Sequence, residues 1–199
     1  MIEITEAIAR KVLSVVDRGL SPGLGKRKPG EMCVEAAVCY ALDLPHGDDP
    51  ACVSRALRSL KIRLNDSTWS SKEARAKGLR RLAVAQLGSR DHLDDKEFVK
   101  RVAALAIRVS VPLALRAAAS IHKDPKHQEA LREAANKCER EPIEKNAREA
   151  HKIAYAAAAA AASDAAAAAA AFAEGVVQIL IEMNAPGCQW LALTELEAA

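Results

Sequence analysis

The chain has 199 residues, half of them hydrophobic but only 3% aromatic, and a formal net charge of +3. That length fits one domain, or one domain with an appendage, around a core of Ala, Leu, Val and Ile. The overall charge alone requires no polyanion partner, but its distribution is uneven: residues 70–150 carry eighteen basic and twelve acidic side chains, residues 151–199 one and five.

The first element is helical, with Ile4, Ile8, Val12 and Val15 in one stripe and Thr5 as its cap. The charges scattered through this stretch do not read as a secretion signal. "RGLSPGLGKRKPG" then breaks the chain with four glycines and two prolines. A helix is expected from about Glu31 to Leu42, ended by "DLPHGDDP", and another from about Ala51 to Leu64 with Val53, Leu57, Leu60 and Leu64 on one face. Ser70 and Glu73 have capping-box spacing, so a helix should run from Ser71 to Leu87, with Gly88 as its stop. Asp94 or Asp95 caps the next one, which Pro112 bends or breaks. Asp124-Pro125 is a cap followed by a first-turn proline, and Pro142 opens the last segment.

That last segment holds two runs of seven alanines around Ser163-Asp164. Alanine has the best helix propensity, so a single helix of ~40 residues and roughly 60 Å is expected, either protruding or packing closely through its small side chains. Asp164 and Glu174 inside the tract argue against a membrane span. No run reads as a strand. The expected architecture is all-α: a compact multi-helix domain over 1–141, one long Ala-rich helix near the C-terminus over 142–184, and a segment 185–199 that packs back on the core or on a second copy in a homo-oligomer.

Four constellations invite chemistry. The first is an anion site: Lys26, Arg27 and Lys28 stand in a glycine-rich loop before a helix N-terminus, where amides near Gly30 and the helix dipole favour phosphate. The glycine spacing is not that of a Walker motif. The second is Cys33, read in a helix's first turn near cations, with His46 as base and Asp48 orienting it, in the manner of a cysteine hydrolase or transferase. Glu31 and Glu35 flank the thiol and oppose a thiolate, and His46 reaches it only if "LPHGDDP" folds back along the helix for about 18 Å. The third is metal: Cys33, Cys39, His46 and Cys52 contain no C-x2-4-C pair, and Cys33 and Cys39 are roughly 240° apart on a helix, so no metal or cofactor is assigned. The fourth is a basic hairpin, residues 55–81, with nine Lys or Arg against two acids. From it Arg58, Lys61, Arg75 and Arg80 would add field to the anion site. Five cysteines, an odd number, read as reduced thiols.

"PGEMCVEAAVCYALDLPHGDDPACV", "LKIRLNDSTWSS", "RLAVAQLGS" and "FAEGVVQILIEMNAPGCQWL" together resemble a family of uncharacterised alanine-rich proteins of tailed phages and bacteria. The resemblance covers most of residues 20–140 and 172–193. It implies a phage-type accessory protein made in a bacterial cytoplasm. The family has no established activity, so the resemblance implies no site residues. The expected function is non-enzymatic: binding an anionic partner (a nucleotide signal, a nucleic acid or a host defence protein) and counter-defence by sequestration. The alternatives are the Cys33 enzyme and a structural oligomer built through the Ala-rich helix.

Overall fold

The structure is a computed structural model that describes residues 3–157 and 165–195. Among them there is no strand. The helices are α1 (Glu6–Val16), α2 (Val34–Ala41), α3 (Arg55–Asp66), α4 (Lys72–Ala85), α5 (Asp95–Arg108), α6 (Ser110–Ile121), α7 (Pro125–Arg140), α8 (Glu144–Ala157) and α9 (Ala165–Glu182), with 3-10 turns at Ser89–Asp91 and Pro186–Thr194.

Local signals set most of the helix starts. Thr5 accepts from the amide of Ile8, Ser54 from Leu57, Ser71 from Ala74, Asp94 from Lys96 and Glu97, and Asp124 from Lys126. Three starts differ from expectation. Helix α3 begins at Arg55, after its cap Ser54, rather than at about Ala51. Helix α2 begins at Val34 rather than Glu31, because residues 25–32 form a short hairpin closed by a Gly25–Met32 bridge. Gly25 has φ +69° and a Cβ there would lie 2.1 Å from the Glu31 carbonyl oxygen, so only glycine fits. The cap of α4 is Ser71 rather than Ser70.

The main core joins α1, α2, α3, α4, the start of α5 and the C-terminal half of α9. Helix α4 is central: it packs on α1, α2, α9 and the 3-10 segment at Pro186–Thr194. Its last half, LRRLAVA, buries Leu79, Leu82, Ala83, Val84 and Ala85 completely. Gly187 lets the 3-10 segment close on it, since a Cβ would stand 2.3 Å from the Val84 carbonyl. A second, smaller core lies within α6, α7 and α8, around Leu115, Leu131, Ala135, Cys138 and Ala150.

The expectation of one long Ala-rich helix near the C-terminus needs correction. Its expected span holds α8 and α9, and residues 158–164 between them lie outside the described part. Helix α8 packs chiefly on α7 and α9 chiefly on α4, and both also touch α5 and α6. The longest apolar helix among the described residues is mid-chain: α5 and α6 run on as Asp95–Ile121, 27 residues, the one described helix long and apolar enough to cross a membrane. Pro112 does not end it. The ring's clash and missing hydrogen bond fall on the carbonyl four residues back, at Arg108. The backbone absorbs this at Val109, with φ −112° and ψ −60°.

Candidate functional site

The 25–32 hairpin is tightly tied. The Lys26 amide donates to Glu31 O, Ser21 to Met32 O, and Cys33 to Leu24 O. It stands against the end of α1 and the start of α4. A Cβ on Gly30 would lie 2.8 Å from the Arg18 carbonyl, and Lys72 Nζ is 3.5 Å from Gly30 O. Three segments therefore bring Arg18, Lys26, Lys28 and Lys72 to one exposed surface. Glu31 sits among them: Lys28, 2.6 Å away, holds its carboxyl below the ordinary range, and Lys26 and Lys72 add to that effect.

The other cations named from the sequence are placed elsewhere. Arg27 turns back onto α2, donating to Leu44 O at 2.9 Å with its guanidinium 5.8 Å from the centre of the Tyr40 ring. Arg58 is bound by Asp48, through its side chain and carbonyl, and faces Asp49. Arg75 is buried and donates to Asn65 O and Leu20 O. Arg80 makes a two-point pair with Asp17 and bonds the Thr194 carbonyl. Lys61 lies fully inside the body. Arg18 and Lys72 replace these as neighbours of the hairpin. No local sequence signal shows this, since Arg18 and Lys72 are brought together only by the packing of α1 on α4.

The N-terminus of α2 does not face this basic surface with open amides. Asn65 Oδ1 accepts from Val34 N at 3.3 Å, and Cys33 Sγ accepts from Ala36 N at 3.3 Å. Cys33 is thus the cap of α2, buried, and burial pushes its thiol up. The 43–50 loop does return along α2: Cys33 and Asp48 both line a small cavity of about 70 Å³, with Glu35, Asn65 and Asp66. His46 is not among its lining residues; its Nε2 is 3.1 Å from Gly25 O. Asp48 is held by Arg58. Small-molecule sites are typically several times larger than this cavity.

Beneath the cavity is the feature with the most unusual electrostatics. Glu35 of α2 and Lys61 of α3 are both 0% exposed. Nζ lies 2.9 Å from Oε1, but not in hydrogen-bonding geometry, and none of the three charged-end atoms has another partner. Burial pushes the Glu35 carboxyl up and the Lys61 ammonium down, and the attraction between them opposes both shifts. A signal for this is present in the sequence. Lys61 lies four residues after Leu57 and three before Leu64, on the buried stripe, and Glu35 lies in the apolar run VEAAVCYA.

Among the described residues no group of three His, Cys, Asp or Glu side chains is placed to hold a metal ion. No family model matches the chain, and no curated protein or solved structure does.

Proposed function

We propose that the chain is a non-enzymatic binding protein that takes a polyanion, nucleic acid foremost, on the surface formed by Arg18, Lys26, Lys28 and Lys72. The observation that carries this is the convergence of four exposed cations from three separate segments around one hairpin, with Glu31 the carboxylate set among them. Exposed cations spread over a surface suit an extended run of phosphates, where each neutralised phosphate releases counterions. In a phage-type accessory protein such binding would act by sequestration, as counter-defence, and an acidic face of a host protein would dock by the same charges.

The test is fluorescence anisotropy with a labelled short DNA and a labelled short RNA over a salt series. Reversal of Lys26, Lys28 and Lys72 to Glu should weaken binding and flatten the plot of log affinity against log salt by about 0.9 for each phosphate no longer neutralised. Binding that keeps its affinity and slope in the triple variant overturns the reading. A thiol enzyme at Cys33 draws less support, because its sulfur is a buried helix cap and the His46 ring is engaged at Gly25.

A further inference from the structure

A second cavity, of about 360 Å³, opens between α4 and α9, well away in character from the basic hairpin. Its size is that of a small-molecule site. One wall is Trp69. The indole N–H donates to the Leu64 carbonyl at 2.9 Å, which fixes the ring. The edge of the ring lies on α4 where Gly78 leaves room: a Cβ there would stand 2.4 Å from Cη2 and from Cζ3. The neighbouring wall residues are small, Ala74 on α4 and Ala170 on α9, so space remains beside a half-buried, oriented aromatic ring.

The charges along the rim are mostly committed to partners. Arg81 pairs with Glu174 at 3.1 Å and with Glu195. The other oxygen of Glu174 accepts from the Gln178 amide at 3.0 Å. Lys77 lies one turn before Arg81 on the same face of α4, is exposed, and makes no ion pair among the described residues. The cavity therefore offers an aromatic surface and one uncommitted positive charge.

We infer that this cavity binds a planar aromatic anion, its ring stacked on Trp69 and its phosphate or carboxylate held by Lys77. Stacking on tryptophan and a charge-assisted contact to one ammonium are complementary needs of such a ligand and of no purely apolar one. This inference is independent of the polyanion surface and of the residues that form it.

The chain has two tryptophans, so a Trp190→Phe variant makes Trp69 the sole reporter. Its fluorescence is titrated with adenosine 5′-monophosphate and with nicotinate, which present the two anionic groups, and with adenosine and inorganic phosphate as the separated halves. Calorimetry on the unmodified chain repeats each titration, so a folding defect in the variant does not decide the result. Saturable quenching by either aromatic anion is expected, stronger than by adenosine or phosphate, and Lys77→Gln should weaken it about tenfold, the ~1.4 kcal/mol of one charge-assisted contact. Ala170→Leu, which fills the space, should abolish it. Equal binding of adenosine and the nucleotide, unchanged binding in Lys77→Gln, or no saturable binding of either anion by both methods overturns the inference.

Discussion

Glu35 and Lys61 face each other 2.9 Å apart in the interior, with no exposed surface on either side chain and no hydrogen bond to satisfy the remaining donors and acceptors. A buried pair of this kind contributes little net stability, because desolvation of both charges opposes their attraction, while loss of one partner strands the other. Glu35→Gln or Lys61→Met alone should cost about 3–5 kcal/mol in urea unfolding, and the double variant Glu35→Leu/Lys61→Met should be neutral or more stable by about 1–4 kcal/mol. A double variant clearly less stable than the parent would show that the pair is a net stabilising contact, and one as unstable as the sum of the singles would show that the two side chains are not coupled.

The two single variants should respond to pH in opposite directions. In Lys61→Met the buried Glu35 loses its counter-charge and its pKa stays raised above the ordinary 4.5. The native state then binds more protons than the unfolded chain, so its contribution is full below about 4.5 and is lost as pH rises through the raised value. In Glu35→Gln the buried Lys61 stays depressed below 10.5. Its contribution is full above about 10.5 and is lost as pH falls through the depressed value. Melting temperatures measured from pH 5 to 9 should therefore fall with pH in the first variant and rise in the second. Parallel curves would refute the assignment.

Thiol reactivity separates the helix-cap role of Cys33 from a catalytic one. Four of the cysteines are buried and Cys188 is partly exposed. Burial pushes Cys39 up to about 12 and Cys188 up to about 11. Alkylation of the native protein near neutral pH, followed by peptide mass mapping, should label Cys188 first, slowly and faster as pH rises toward 11. Rapid selective labelling of Cys33 would instead establish an activated thiol.

Asn65 is the buried knot of the body. It accepts from Val34 N and donates to Ser21 O at 2.9 Å and to Asp66 Oδ1 at 3.0 Å, tying α2, α3 and the segment before the hairpin. Asn65→Ala should cost about 1–3 kcal/mol, the penalty of leaving the Val34 amide without a partner. Faster amide exchange at Val34 should accompany it. A variant with unchanged stability and exchange would mean that water replaces the side chain.

The sequence makes several helix ends legible where the signal is local, but not the start of α3, whose cap Ser54 lies inside the stretch expected to be helical. Thr5, Asp94 and Asp124-Pro125 act within three residues of themselves, and each caps its expected helix. The start of α2 depends on Gly25 meeting Met32, a pairing across the chain that no local pattern announces, and it falls three residues later than the pattern suggests. Lys61 and Arg75 look like surface charges by type. Their burial follows from position, Lys61 on the leucine stripe and Arg75 at carbonyls of two other segments. The basic surface is half legible: Lys26 and Lys28 stand close together in sequence, whereas Arg18 and Lys72 join them only through tertiary packing.

The Asp95–Ile121 helix belongs to two cores at once, the larger through Phe98 and the smaller through Leu115 and Ala119. The smaller core buries few side chains, several of them alanine, so it holds its helices with much less apolar area than the main body. Cooperative units of unequal strength open separately. The α6–α8 limb can therefore unfold and refold on its own schedule while the body that carries the hairpin and the indole-lined cavity stays intact, and the shared helix, bent at Val109, is where the melting boundary would come to rest.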